Sequence, residues 1–262
     1  MELQGATVIV TGGARGIGRG IVTAFAAEGA NVLIGDLLDA PDVAAAAAET
    51  RSLAEKHGVQ TAAAAVDVRD PAQCDALVRR ALERFGRLDV VCANAGVIST
   101  GLVTELAPDE WDRVMDVNAK GVFLTCKAAA PVFIEQRRGC FVTTASIAGK
   151  RGGARVSHYA ASKFAVIGFT QSLALEMAPY GVRANAICPG YLGTHMWYDV
   201  LLARQRAEGE DTREAFERLS AERVPLGRPQ TPEDIGAAAV YLARAENVTG
   251  VALTVAGGLV MA

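Results

Sequence analysis

The stretch Thr7–Gly18, TVIVTGGARGIG, decides the fold of this chain. It joins an apolar run, Thr7–Val10, which is short enough for a buried strand, to a glycine-rich turn and then to a segment with helical spacing. A glycine-rich turn between a strand and a helix lets backbone N–H groups approach a pyrophosphate at the positive end of the helix. The pattern therefore predicts a phosphate-binding loop. The alternative is a tight turn that binds no ligand.

Apolar runs and helical segments alternate along the rest of the chain. Further strand-like runs lie at Val32–Gly35, Ala62–Val66, Val90–Ala93, Phe141–Thr144, Arg183–Ile187 and Ala252–Val255. Helical spacing is found at Gly16–Glu28, Asp42–His57, Pro71–Phe85, Pro108–Arg137, Ser157–Pro179 and Pro232–Ala243. Parallel strands need crossover connections, and these crossovers cover both faces of the sheet. The alternation therefore predicts an α/β fold with a parallel sheet between two layers of helices.

Length and composition limit the possible classes of protein. A chain of 262 residues has the size of one α/β domain, and we expect a single domain over residues 1–262. With 51% hydrophobic and 21% charged residues it can bury a large core, which excludes disordered and fibrous classes. A net charge of −3 without a basic stripe argues against a nucleic-acid partner. No apolar run approaches the roughly 20 residues of a membrane span, so we expect a soluble, cytoplasmic protein without a membrane partner.

Cysteine and histidine usage argues against disulfides and metals. The five cysteines are scattered without a C-x-x-C pair, and the three histidines are far apart in the sequence. Disulfide frameworks and zinc sites need more regular spacing. We therefore expect buried cysteines and no metal site.

A long irregular stretch, residues 191–229, follows the sixth strand-like run. It is too long for a simple connection between secondary-structure elements. Ligands of α/β sheets bind outside the carboxyl ends of the strands, where an insertion at this place would lie. We expect a lid over the substrate, with a helical hairpin on the surface as the alternative.

Asp36 ends the second strand-like run, 18 residues after Gly18. This is close to the roughly 20-residue offset at which a carboxylate binds the ribose hydroxyls of NAD. A 2′-phosphate would meet the negative charge of Asp36, which favours NAD over NADP. Arg15 points the other way, because a guanidinium in the loop could pair with that phosphate. We give Asp36 the greater weight, and a simple turn residue is the alternative at this position.

Tyr159 and Lys163 are four residues apart in a helical segment, which places both side chains on one face. A cation beside a phenol lowers the pKa of the phenol and suits it to proton exchange near neutral pH. An ordinary amphipathic helix would give the same spacing. Ser146 follows a strand-like run, so its hydroxyl is expected at the carboxyl end of that strand beside Tyr159.

The spacing T-G-x-x-x-G-x-G at Thr11–Gly18 resembles the short-chain dehydrogenase/reductase family, and the resemblance extends over nearly the whole chain. It implies a doubly wound Rossmann-type fold with a seven-stranded parallel sheet in the order 3-2-1-4-5-6-7. Four residues match the catalytic tetrad of that family in type and order: Asn118, Ser146, Tyr159 and Lys163.

By this resemblance, Tyr159 exchanges a proton with the substrate oxygen, which Ser146 orients. Lys163 lowers the pKa of Tyr159 and holds the nicotinamide ribose, and Asn118 anchors a water in a proton relay. Asp67 would bind the adenine ring and Thr194 the carboxamide. The expected cofactor-binding residues are Gly12, Arg15, Gly16, Ile17, Gly18, Asp36, Asp67, Val68, Asn94, Ala95, Gly96, Tyr159, Lys163, Pro189, Gly190 and Thr194.

The sequence departs from the family pattern at two places. Ala93 replaces the Asn that usually precedes Asn94-Ala95-Gly96, and Ala256 replaces the Asp of the commoner Asp-Gly-Gly. We expect Ser99, residues 147–155, His158, Tyr191 and the segment His195–Trp197 to line the substrate pocket.

The expected activity is hydride transfer between NAD(H) and a small secondary alcohol, diol or polyol and the corresponding ketone. The alternatives are an NADP(H)-dependent reductase of 3-oxoacyl thioesters or other carbonyl compounds and a noncatalytic dinucleotide-binding regulator. A methyltransferase shares a glycine-rich first loop but has no need of Tyr159 and Lys163. The family resemblance also implies a homotetramer or homodimer.

Overall fold

A seven-stranded parallel sheet forms the centre of the molecule. The structure is a computed structural model and describes residues 1–37, 48, 52–202 and 209–261. The strands are β1 (Thr7–Thr11), β2 (Asn31–Asp36), β3 (Thr61–Ala65), β4 (Val90–Ala93), β5 (Gly139–Thr144), β6 (Val182–Pro189) and β7 (Ala252–Val255). Their order is β3-β2-β1-β4-β5-β6-β7, and all pairs are parallel. The predicted fold class and strand order are confirmed.

Helices cover both faces of the sheet. The described helices with defined bounds are α1 (Gly16–Ala27), α2 (Pro71–Phe85), α3 (Pro108–Met115), α4 (Gly121–Gln136), α5 (Ser157–Met177), α6 (Thr212–Arg223) and α7 (Pro232–Arg244). A π-helical turn, Asp116–Lys120, joins α3 to α4, so the predicted helix Pro108–Arg137 is continuous but locally widened. Residues 52–57 are helical, and most of the predicted helix Asp42–His57 lies outside the described residues.

Local sequence signals fix where the helices begin and end. The Asp70 side chain accepts a hydrogen bond from Ala72 N, and Pro71 occupies the first turn of α2. Thr231 and Asp234 form a capping box at the start of α7. These contacts satisfy backbone N–H groups that have no partner within their helix.

Two hydrophobic cores pack against opposite faces of the sheet. One contains Leu77 of α2, Phe133 of α4 and Val166 of α5. The other contains Phe25 of α1 and Ile235 of α7. Since the central strands β1, β4 and β5 are buried on both faces, continuous apolar runs occur there instead of an alternating pattern.

The continuous helical segment Pro108–Gln136 is long and apolar enough, by length and composition, to cross a membrane. Half of its most apolar window is buried inside the molecule. Its apolar character therefore matches its place in the core, where Cys126, Ala129 and Phe133 have no exposed surface.

Helices α1 and α7 approach each other closely at two glycines. A Cβ on Gly20 would lie 2.2 Å from the carbonyl oxygen of Pro232, and a Cβ on Gly236 would lie 2.5 Å from the carbonyl oxygen of Gly20. Real Cβ atoms do not come this near to backbone oxygens, so the two backbones can touch only through glycine.

We expect Gly20→Ala to lower the free energy of unfolding by at least about 1 kcal/mol, because the separation of α1 and α7 outweighs the gain of roughly 1 kcal/mol in helix propensity. Urea denaturation of both proteins measures the difference. Gly152→Ala is the matched control, since its added Cβ meets no atom within 4 Å and the glycine has an ordinary φ. Equal stability of Gly20→Ala and the control would refute the close contact.

Candidate active site

A cleft of about 950 Å³ lies at the carboxyl ends of the strands. The order of the strands along the sheet reverses between β1 and β4, with β2 and β3 on one side and β5 to β7 on the other, and open α/β sheets bind their ligands at such a point. Every cofactor-binding residue expected from the sequence lines this cleft, together with Ser146. Of the expected catalytic residues, Asn118 alone is not among the lining residues.

The glycine loop between β1 and α1 forms one wall of the cleft. Gly12 has φ +64°, and a Cβ there would lie 2.8 Å from Ala95 Cα. A Cβ on Gly18 would lie 2.0 Å from the carbonyl oxygen of Gly12. Arg15, at the N-cap of α1, makes no side-chain capping bond, so the first-turn N–H groups have no cap of that kind. Close backbone approach at a helix start fits a pyrophosphate.

Asn94 ties this loop to the middle of the sheet. Its Nδ2 donates to the carbonyl oxygens of Thr11 and Gly12, at 3.1 Å each. Its Oδ1 accepts a hydrogen bond from Thr144 Oγ1 at 3.0 Å. Thr11 Oγ1 in turn accepts from the backbone N–H groups of Asn94 and Ala95. The sequence indicated Asn94 as a cofactor contact but gave no sign of the roles of Thr11 and Thr144.

Two acidic residues line the cleft, one at the end of β2 and one after β3. Asp36 ends β2, and its Oδ2 accepts a hydrogen bond from Ala14 N at 2.9 Å. The next residue, Leu37, is 64% exposed and also lines the cleft. Asp67 accepts hydrogen bonds from the guanidinium of Arg69, and these bonds lower the pKa of the Asp67 carboxyl. Asp67 thus lines the cleft with its carboxylate paired with Arg69, and adenine binding by Asp67 stays a prediction.

Three polar side chains meet at the opposite side of the cleft. Ser146, at the carboxyl end of β5, caps a 3-10 turn by accepting a hydrogen bond from Ala148 N. Tyr159 and Lys163 lie on α5 and are almost fully buried, with 9% and 3% of their surfaces exposed. Lys163 Nζ lies 5.7 Å from the centre of the Tyr159 ring and donates to the carbonyl oxygen of Thr144 at 2.8 Å.

Burial controls the proton affinities of this group. It raises the pKa of Tyr159, and a hydrogen bond with Ser146 opposes that rise. It also lowers the pKa of Lys163 to about 8. The sequence predicted a lowered pKa for Tyr159, but the net direction in the structure is upward because loss of solvent outweighs the Ser146 hydrogen bond.

Asn118 lies behind the cleft, in the π-helical turn between α3 and α4, and has no exposed surface. Its Oδ1 accepts from Val97 N at 2.8 Å, and its Nδ2 donates to Val97 O at 2.9 Å and Ser162 Oγ at 3.0 Å. The side chain therefore fixes the loop after β4 to α5. The sequence did not indicate Ser162 as its partner. Water binding by Asn118 stays a prediction.

The expected pocket residues are only partly brought together. Tyr191, His195, Met196 and Trp197 line the cleft, together with Ile147, Ala148, Gly152, Gly153 and Arg151. Ser99 and His158 are not among the lining residues and instead share a hydrogen bond of 2.7 Å. Ile98, Val200 and Leu201 also line the cleft although the sequence did not single them out, since apolar residues of a loop give no pattern from which orientation can be inferred.

Comparisons with known proteins agree with this geometry. A family model described as short chain dehydrogenase matches residues 6–205. Galactitol 2-dehydrogenase of Agrobacterium fabrum is 38% identical over 248 residues, covering 94% of this chain and 93% of the relative. The 3-oxoacyl-(acyl-carrier-protein) reductase FabG of Thermotoga maritima is 34% identical over 263 residues and all of both chains.

Among solved structures, levodione reductase matches with a TM-score of 0.89 and 32% identity, over 97% of both chains. These similarities agree with the geometry of the cleft, which is lined by the glycine loop and by buried Tyr159 and Lys163. The chain belongs to the short-chain dehydrogenase family, whose members bind a nicotinamide dinucleotide, and it is an oxidoreductase acting on CH–OH groups.

Proposed function

We propose that this protein transfers hydride between NAD(H) and a small secondary alcohol, diol or polyol and the corresponding ketone. The observation that carries the proposal is that the glycine loop, Asp36, Ser146, Tyr159 and Lys163 all line one cleft. The similarity to a galactitol 2-dehydrogenase supports an alcohol substrate of this kind.

A nicotinamide dinucleotide held by the glycine loop, Asp36 and Lys163 would supply the hydride acceptor for oxidation of the carbinol carbon and the hydride donor for reduction of the ketone. Tyr159 takes the proton of the alcohol hydroxyl at its phenolic oxygen and gives it back in the reverse direction. Ser146 Oγ holds the reacting oxygen beside Tyr159. Burial of Tyr159 excludes water, so proton exchange is confined to the bound substrate and the side chains around it.

Lys163 and Asn118 organise the same reaction. In our proposal the Lys163 ammonium binds the nicotinamide ribose and stabilises negative charge on Tyr159, from a position fixed by the carbonyl of Thr144. Asn118 holds the loop after β4 and anchors the relay water. Asp67 and Val68 bind the adenine, and Thr194, with Pro189 and Gly190, binds the carboxamide end.

The choice of NAD over NADP rests on Asp36. Its carboxylate at the cleft would repel a 2′-phosphate and accept hydrogen bonds from ribose hydroxyls. Exposed Arg15 and the similarity to FabG favour the alternative, an NADP(H)-dependent reductase of 3-oxoacyl thioesters or other carbonyl compounds. A noncatalytic dinucleotide-binding regulator is the remote alternative, because such a protein would not need all four residues of the catalytic tetrad.

We further propose a single domain in which residues 191–229 act as the substrate lid, and a cytoplasmic location. The assembly would be a homotetramer or homodimer. Phe123 on α4 and Phe164 on α5 support this assembly, since they are 42% and 47% exposed on helices that the family commonly pairs.

Tyr159→Phe should lower kcat by about 10²- to 10⁴-fold, the usual contribution of a general acid–base. Dissociation constants for NAD and NADH should stay within a few-fold, because the phenyl ring remains. Nicotinamide absorbance with a panel of secondary alcohols, polyols and ketones provides the test. Tyr180→Phe, the same change in the turn after α5, is the control and should be neutral. Full activity of Tyr159→Phe would remove Tyr159 from the mechanism.

Ser146→Ala should move the alkaline pH profile of alcohol oxidation to higher pH. Oxidation needs ionised Tyr159, and the Ser146 hydrogen bond lowers the pKa of that phenol. Without the bond the pKa rises, so a higher pH is needed for the same ionised fraction. Ser146→Thr keeps a hydroxyl and should keep the original profile. A profile of kcat/KM against pH that is identical in all three proteins would contradict this coupling.

Asp36→Asn should tighten NADPH binding at least about 10-fold, because like-charge repulsion is removed while the acceptor for Ala14 N is kept. NADH binding should change only a few-fold. Fluorescence titration of both cofactors measures the dissociation constants. Arg15→Ala is the companion variant and should weaken NADPH more than NADH. If the wild type binds NADPH more tightly than NADH, the proposed cofactor preference is wrong.

A further inference from the structure

The substrate side of the cleft has an apolar wall. We use this name for Ile98, Val156, Met196, Val200 and Leu201, which line the cleft and belong to the hydrophobic cluster around Tyr159. They come from three parts of the chain: the loop after β4, the residue before α5, and the π-helical turn Met196–Leu201. None of these side chains carries an N–H, an O–H or an oxygen acceptor.

Polar groups near the wall are few and unevenly placed. Ser146 and Tyr159 offer hydroxyls for one reacting oxygen. The charged or titratable side chains Arg113, Arg151 and His195 also line the cleft. Arg151 and His195 are exposed, and the guanidinium of half-buried Arg113 donates hydrogen bonds to the carboxylate of Glu110. A second oxygen on the part of a substrate that lies against the apolar wall would find no side-chain partner in the five residues of that wall.

The lid side of the apolar wall is held in place by packing of its own. Trp197 lies with its ring centre 4.2 Å from that of Tyr191 and 5.6 Å from that of Phe216 on α6. Tyr198 packs edge-on against the same Phe216 at 5.5 Å. Leu202, directly after the turn, has no exposed surface. Because these rings anchor the turn, Met196, Val200 and Leu201 present a built apolar surface to the cleft.

We propose that the substrate is a predominantly apolar ketone or secondary alcohol that offers one oxygen to Tyr159 and Ser146 and lays its hydrocarbon body against the apolar wall. This proposal rests on the proposed function and limits its substrates to secondary alcohols and ketones with few or no further hydroxyl groups. A polyol would leave buried hydroxyls without partners, and a hydrophobic pocket rejects a single added hydroxyl by about 10²-fold.

The test is a pair of ketones with one carbon skeleton. Cyclohexanone and its pentahydroxy analogue, myo-inosose, are reduced by the wild-type protein with NADH and, separately, with NADPH. We expect kcat/KM for cyclohexanone to exceed that for myo-inosose by at least about 100-fold. Methyl and ethyl groups at carbon 4 of cyclohexanone should each raise kcat/KM by about 3- to 4-fold per carbon while they fit, as expected for buried methylene groups.

Variants of the apolar wall test whether these residues cause the preference for cyclohexanone over myo-inosose. Val156→Thr and Met196→Gln keep the side-chain volume and add a hydrogen-bonding group, so each should shift the cyclohexanone-to-myo-inosose ratio toward the polyol by about 10-fold. Val251→Thr is the matched control: it lies next to β7 at the amino end of the strand, is 39% exposed and is absent from the cleft lining. Its ratio should equal that of the wild type.

Binding is measured alongside turnover, so that the proposal is tested even without reduction. Titration of the protein–NADH complex with each ketone is followed by tryptophan fluorescence, since Trp197 lines the cleft. Tighter binding of cyclohexanone supports the proposal. Equal or tighter binding of myo-inosose, or its faster Tyr159-dependent reduction, overturns the apolar substrate while the dehydrogenase function stands. Failure to bind NADH or NADPH would instead refute the proposed function, and the apolar substrate with it.

Discussion

The carboxamide of Asn94 is the contact on which the site depends. Through Nδ2 it holds the glycine loop, and through Oδ1 it holds Thr144 at the end of β5. The carbonyl of the same Thr144 accepts the hydrogen bond of Lys163. One amide therefore joins the phosphate-binding loop to the lysine of the reaction centre. Both halves keep their spacing because three strand ends, of β1, β4 and β5, are tied together at this point.

Around that tie, the molecule separates two kinds of chemistry. The loop, Asp36 and the start of α1 offer backbone N–H groups and a carboxylate to a charged dinucleotide. Tyr159 and Lys163 lie in surroundings that exclude water. Burial raises the pKa of Tyr159 and lowers the pKa of Lys163, and both changes favour the neutral form of the side chain. Neutral side chains cost less free energy to bury than charged ones, which is why the two pKa values shift in opposite directions.

The fold was predictable because each strand and most helices have a characteristic spacing of apolar residues in the local sequence. Apolar runs that alternate with helical spacing predicted all seven strands and most of the described helices. The π-helical turn Asp116–Lys120 could not be predicted in this way. Its residues have the same helical spacing as the α-helices on either side, and only the backbone hydrogen bonding differs. The hydrogen bond of Ser99 with His158 and the raised pKa of Tyr159 depend on burial and orientation, which arise from distant parts of the chain. The sequence therefore predicted which residues line the cleft more reliably than it predicted their hydrogen-bond partners.

A small hydrophobic cluster beside the cleft is separate from the two cores of the sheet. Leu202, Ala215, Phe216 and Leu219 form it, with Tyr191, Trp197 and Tyr198 packed against it. Because Tyr191 and Trp197 also line the cleft, a substitution in this cluster would change the shape of the cleft without altering the two cores that hold the sheet. The residues that shape this side of the cleft are thus packed independently of those that hold the fold together.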